Sequence, residues 1–201
     1  MNGIYPVSLK GEIEEPLSRW LWLVKWILLI PHFFILIFLW IALFVSWIIS
    51  LFAILFTTKY PPSLFEFNVG VLRWTWRVGF YGYFALGTDK YPPFTLNSVD
   101  YPADLHIEYP EQLSRGLALV KWWLLAIPHY IVISFFQGGA GPRNSGLIFI
   151  LAVFAGVVLL FKSQYPRDIF NLVMGMNRWC VRVVSYAALM TDKYPPFRLD
   201  T

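Results

Sequence analysis

Between Lys25 and Lys59 the chain runs for 33 residues without Asp, Glu, Lys or Arg. As one straight helix that run would reach about 50 Å, against a hydrocarbon core of about 30 Å. Trp20–Phe56 is long enough for two short spans if Lys25 snorkels toward the head groups. In the second half of the chain the matching apolar stretch is broken by Gln137-Gly138-Gly139-Ala140-Gly141-Pro142-Arg143-Asn144-Ser145-Gly146, a strong loop signal. It leaves apolar segments Leu117–Phe136 and Leu147–Phe161. A loop is tolerated at a surface turn and not inside a lipid-facing helix, where freed backbone groups find no water. The insertion therefore predicts a hairpin tip, which in the first half falls near Phe38–Ala42. Four spans are expected, as two hairpins in parallel orientation.

After each apolar stretch, Tyr60-Pro61-Pro62 or Tyr165-Pro166 stops the helix, because proline disfavours αR in the residue before it. A third helix follows in each half, over Leu64–Leu86 and Ile169–Leu189. Arg73, Arg77 and Tyr81 share one face of the first, and Arg178, Arg182 and Tyr186 repeat the pattern in the second. Three readings are open. The helices lie in the interface with solvated arginines, the arginines grip lipid phosphates or a partner's carboxylates, or the helices also cross and the halves are inverted. Arg73, Arg77, Arg178 and Arg182, with Trp74 and Trp179, are the candidate lipid- or partner-contacting residues.

The two halves are one unit written twice. Thr88-Asp89-Lys90-Tyr91-Pro92-Pro93-Phe94 recurs letter for letter as Thr191-Asp192-Lys193-Tyr194-Pro195-Pro196-Phe197. Ser18-Arg19, Lys25-Trp26, Ile30-Pro31-His32 and Arg73-Trp74 return as Ser114-Arg115, Lys121-Trp122, Ile127-Pro128-His129 and Arg178-Trp179. The expected units are residues 1–98 and 99–201. The fold class expected is an all-α integral membrane protein of two tandem repeats, each a transmembrane helical hairpin followed by an amphipathic interfacial helix.

Composition narrows the function. With 58% hydrophobic and 14% charged residues and a mean hydropathy of +0.57, the chain lies outside the soluble norm of about 25% charged. Ten tryptophans suit head-group depth, where one edge of a ring is apolar and the other wet. The net charge of +4 gathers near helix ends, which favours anionic lipid over nucleic acid. Lys10, Arg19 and Lys25 precede the first hairpin and Lys59, Arg73, Arg77 and Lys90 follow it, so the positive-inside rule puts both termini in the cytoplasm. No small-residue cleavage site follows the first apolar stretch, which is expected to be retained as the insertion signal. The single cysteine, Cys180, excludes an intrachain disulfide and reads as a packing residue.

Candidate chemistry is sparse. Tyr-Pro occurs seven times, at Tyr5, Tyr60, Tyr91, Tyr101, Tyr109, Tyr165 and Tyr194, where proline ends an element and tyrosine anchors at the interface. Asp89 and Asp192 read as a clasp within each repeat, paired with Arg77 or Arg182, or as solvated carboxylates. His32 and His129 are the intramembrane polar residues. Each follows a proline and either satisfies a backbone carbonyl freed by a kink or faces its counterpart across the pseudo-two-fold, to ligate haem or a metal or to line an ion path. No Gly-rich phosphate loop, catalytic triad order or metal-ligand spacing exists, so no enzyme activity, no metal and no cofactor is expected beyond that haem alternative.

The motifs together resemble a known family. Ser18-Arg19, Lys25-Trp26, Ile30-Pro31-His32, Tyr60-Pro61, Asn68-Val69-Gly70-Val71, Arg73-Trp74, Arg77-Val78, Tyr81 and the Thr88–Phe94 tail are similar to the bacterial membrane family called domain of unknown function 4389. Two copies would cover Tyr5–Leu96 and Tyr101–Leu199. The resemblance implies a bacterial integral membrane protein of the inner membrane and supplies no activity. The expected function is an accessory or scaffold subunit of a membrane assembly or a lipid-organising oligomer, whose partners are membrane lipids and other membrane subunits or itself. The alternatives are a small channel or transporter with a path between the hairpins, and a haem- or metal-binding subunit through His32 and His129.

Overall fold

The computed structural model describes residues 5–138 and 145–200. The chain is mostly helical, with one small sheet. Strand β1 (Val7–Gly11) is followed by a 3-10 turn at Leu21–Leu23, then α1 (Lys25–Leu28), α2 (Ile30–Thr57) and α3 (Pro62–Tyr81). The second half repeats this order with β2 (Ala103–Ile107), α4 (Arg115–Val120), a π-helical turn at Lys121–Leu125, α5 (Ile127–Gln137), α6 (Leu147–Lys162) and α7 (Arg167–Ala187). The strands correct the all-α expectation. Val7 and Leu9 are buried while Ser8 and Lys10 are exposed, so five residues after Tyr-Pro carry a period of two that the surrounding apolar runs overshadow.

The two strands are copies of one another and pair antiparallel, with Leu9 opposite Leu105 and Val7 opposite Ile107. Leu105 is the counterpart of Leu9 in the duplicated unit. The ladder is thus self-complementary, and a pseudo-two-fold axis passes through that central pair. Each strand packs on the other repeat's helix, β2 on α3 and β1 on α7. The Tyr5 hydroxyl donates to the Lys193 carbonyl at 3.1 Å, and its counterpart Tyr101 donates to the Lys90 carbonyl at 2.9 Å.

Helix α2 runs unbroken through Phe38–Ala42. This corrects the hairpin expected there: apolar residues without glycine or inner proline have no reason to leave a helix. Pro31 occupies its first turn, where a missing N–H costs nothing. It ends at Thr58 in the left-handed region (φ 62°), whose N–H closes on the Ile54 carbonyl at 2.9 Å. α6 ends the same way at Ser163 (φ 58°).

The loop between Gln137 and Gly146 is no hairpin tip either. His129 of α5 packs on Trp179 of α7, while Ser163–Pro166 joins the end of α6 to the start of α7, twelve residues before Trp179. α5 and α6 therefore run along α7 in one direction, as α2 alone runs along α3. The Gly146 α-carbon lies against the backbone of Gln137 and Gly138, so the insertion leaves and rejoins one rod at a single level. Residues 139–144, including Arg143, lie outside the described residues.

Among the described residues one helix, α2, is long and apolar enough to cross a membrane, and the pair Arg115–Leu125 and Ile127–Gln137, bent by 46°, passes as one span on the same terms. The two rods run antiparallel, side by side. Trp22 meets Gly156, Trp47 meets Trp122 and Arg115 donates to the Phe56 carbonyl at 3.1 Å. The start of each rod thus lies beside the end of the other, which corrects the parallel arrangement.

α3 and α7 are not exposed on an interface. α3 uses Trp74, Thr75 and Asn68 against α2 and Arg73 and Trp76 against the sheet. The molecule has three layers: apolar rods, amphipathic helices, then the sheet. The core lies between the last two, around Leu9, Leu105, Phe65, Phe80, Phe170 and Met174.

Candidate functional site

The repeated motifs build the same clasp twice. A lysine at the start of each rod is drawn inside, with Lys25 1% and Lys121 0% exposed. A buried ammonium needs a counter-charge and acceptors, and the tail after α3 or α7 supplies both. Lys25 Nζ donates to the Thr88 carbonyl at 2.6 Å and meets Asp89 Oδ1 at 3.0 Å. Lys121 Nζ donates to the Thr191 carbonyl and to Asp192 Oδ1, each at 2.8 Å. The second oxygen of each aspartate accepts the N–H of Ser18 at 2.5 Å or Ser114 at 2.6 Å. Each ammonium also lies over a tyrosine ring, Tyr81 at 4.5 Å and Tyr186 at 5.4 Å. The aspartates thus clasp lysines, and not Arg77 or Arg182 as expected.

Beside each clasp an aromatic cage closes on the histidine. Trp74 Nε1 donates to His32 Nδ1 and Trp179 Nε1 to His129 Nδ1, both at 3.0 Å. Phe94 stacks on His32 at 4.0 Å and Phe197 on His129 at 4.3 Å, with Tyr91 and Tyr194 at 4.9 Å. Each Nε2 is buried without a hydrogen-bond partner among the described residues. Each imidazole is therefore enclosed by its own repeat: Nδ1 is taken by the indole N–H and Nε2 is buried, so a haem or metal would have to displace the indole or the groups packed over Nε2 to reach an in-plane lone pair. The His pair does not fit a haem. Among the described residues no three His, Cys, Asp or Glu side chains converge as a metal site.

The arginines hold the end of the same tail. Arg77, fully buried, donates to the carbonyls of Thr95 at 3.3 Å and Asn97 at 2.7 Å. Arg182 donates to the equivalent carbonyls of Arg198 at 3.1 Å and Asp200 at 2.5 Å. Arg73 donates to the carbonyls of Leu105 at 2.9 Å and Leu96 at 3.0 Å. Asp104 of the second repeat lies 3.0 Å from Arg73 and 3.3 Å from Arg77. Burial pulls the Arg77 guanidinium below its ordinary value and Asp104 pushes back. Arg182 is pulled down by burial and by Arg198. Arg77, Arg182, Trp74 and Trp179 are all buried, the arginines on tail carbonyls and the indoles on the histidines, so none of the four lies on the surface; Arg73 and Arg178 are half-buried.

The sequence reading missed Lys25 and Lys121 as clasp partners. The signal was present: a lysine at the head of an apolar run and an aspartate in the tail recur together in both copies. Asp104 carried no such signal, because its counterpart is Ser8.

Around these buried polar groups the outer surface is apolar. On the first rod Phe33, Phe34, Ile37, Phe38, Ile41 and Phe44 are exposed, and on the second Ile131, Phe135, Phe149, Ile150, Phe154 and Phe161. Only 22% of the most apolar window of α2 is buried. A row of exposed apolar side chains along a helix marks a contact face more than scattered single residues would.

The family described as Domain of unknown function (DUF4389) matches residues 19–95 and again 117–198. Each segment contains the lysine, histidine, tryptophan and tail aspartate of its own repeat, while Ser18, Ser114 and Arg115 lie just ahead of the matched residues. No curated protein and no solved structure matches the chain.

Proposed function

The chain belongs to the DUF4389 family, carrying its domain twice, and from that premise we propose a non-catalytic bacterial membrane protein that works by contact, as a scaffold or accessory subunit or a lipid-organising oligomer. One observation carries the reading: both rods expose apolar residues along their length, while the repeated lysines, aspartates, histidines and Arg77 and Arg182 are consumed by internal clasps. A catalytic site needs polar groups left free to meet a substrate. A path lined by His32 and His129 would likewise need imidazoles that face it.

The layers also suggest a seating. The sheet's outer positions, Ser8, Lys10 and His106, are exposed and polar. If both rods crossed the bilayer, the pseudo-two-fold would carry this sheet, with its open edges, to the depth of the hydrocarbon, where unpaired backbone and charges are costly. With the rods embedded along one leaflet, the sheet faces water. Arg19 and Lys59, at the two ends of the first rod, then lie on the same side. Single cysteines at these positions, in a Cys180→Ala background, are both expected to react with a membrane-impermeant maleimide applied from one side. Labelling from opposite sides would show α2 crossing, and recovery of the protein in the soluble fraction would remove the membrane reading. A mild-detergent pull-down yielding only monomer, with neither partner nor lipid, would count against the contact function.

A further inference from the structure

Between the two rods the surface opens into an apolar groove of about 560 Å³. Trp26, Phe33, Ile37 and Trp40 of the first rod form one wall, Phe149 of the second closes the other, and Gly79 and Gly82 lie in the floor. Its hydroxyls are already engaged. The Thr75 hydroxyl donates to the Val71 carbonyl at 2.8 Å and accepts from Trp40 Nε1 at 3.2 Å, and the Tyr83 hydroxyl donates to the Trp22 carbonyl at 2.8 Å. Apart from the Trp26 indole N–H, the cavity therefore offers carbon to an occupant.

The pseudo-two-fold shows what the equivalent place holds in the second repeat. There Ala187 follows Tyr186 as Gly82 follows Tyr81, and Val184 replaces Gly79. The Trp47 indole of the first repeat reaches across, donates to the Ala187 carbonyl at 3.2 Å and meets Trp122 edge to face at 5.3 Å. Trp122 is the counterpart of Trp26. The counterpart of Trp47, however, is Ala152, which is too small to return the contact. One groove is filled by the chain's own indole. The other is left open.

We infer that the open groove binds an acyl chain of a membrane phospholipid. The inference rests on the membrane reading above, since the groove opens between the rods on the apolar surface where acyl chains would be abundant. The cavity is within the 300–1,000 Å³ of ordinary ligand sites, its lining matches a hydrocarbon, and a flexible chain can follow a furrow between two helices where a rigid polar ligand gains nothing.

The test is photo-crosslinking in vesicles of phosphatidylethanolamine and phosphatidylglycerol, the latter carrying a diazirine on one acyl chain. Adducts on Ile37 and Phe149 are expected to exceed those on Phe34 and Phe161, exposed to the same bilayer, by about tenfold. Ile37→Trp, read at Phe149, and independently Phe33→Trp, read at Ile37 and Phe149, should abolish that excess and leave the Phe34 and Phe161 adducts unchanged. Adducts spread evenly over both rods would overturn the groove while leaving the membrane reading intact, and absence of the protein from the vesicles would remove both. Crosslinks joining two chains through the groove would assign it to a second copy, and excess adducts that persist in both variants would also overturn it.

Discussion

The two arginine sites belong to the same repeated unit and differ in the charges around them. In the first, Asp104 reaches from the other repeat and sits between Arg73 and Arg77. In the second, the equivalent residue is Ser8, Arg182 is served by carbonyls and by the Tyr5 ring at 5.7 Å, and Arg178 Nε is buried without a hydrogen-bond partner among the described residues. Both sites keep the arginine-to-tail carbonyl bonds, whereas among the described residues only the first has a carboxylate within ion-pair distance of its arginines. The shared task of the arginine is thus to hold the backbone after Tyr-Pro-Pro-Phe, for which a planar five-donor fork is well suited. Close neutralisation by Asp104 occurs in one repeat, and it doubles as a tie between the halves. The lysine clasps, by contrast, are the same in both copies down to the acceptor atoms.

That contrast can be broken most sharply at the clasps. Lys25→Met and Lys121→Met should each cost about 3 kcal/mol, because the partner aspartate keeps some solvent contact but loses its only buried counter-charge. The thermal midpoint in detergent should fall by about 6–12 °C for each. A fall for one and not the other would show that the two clasps are unequal after all. The arginine sites should respond asymmetrically and less. Asp104→Ser, which copies the second repeat, is expected to lose about 2 kcal/mol by stranding the buried Arg77, whereas Ser8→Asp should gain about 1 kcal/mol. Equal responses in denaturant titrations would erase the difference. The smallest effect belongs to the rods. Deleting residues 138–145 should restore an uninterrupted helix like α2 at a change within about 1 kcal/mol, since the flanking Gln137 and Gly146 already meet. A variant that no longer folds would mean that α5 and α6 are not one rod.

Much of this was legible in the chain. The duplication, the helical boundaries at Tyr-Pro, the apolar rods and the packing character of Cys180, which is buried, follow from local pattern. The hairpin inference went astray because an insertion was taken as evidence of a chain reversal. A loop can also be extruded from the side of a rod, provided its ends meet at one level, as Gln137 and Gly146 do. Arg73 and Arg77 were read as an outward face because helical spacing says which residues share a face and not what covers it. Their cover comes from a tail some twenty residues later and a strand from the other repeat.

Sequence by itself determined that this is a twice-repeated, lipid-compatible helical chain with paired basic and acidic motif residues, because hydrophobic period, proline and recurrence act over a few residues. Only tertiary structure decided that lysine, and not arginine, takes the aspartate, that histidines are walled in by their own tails, and that the rods lie antiparallel about a strand pair. Those outcomes depend on which distant segment reaches a buried charge or an open ladder first, and contacts across the two-fold leave no trace in local spacing.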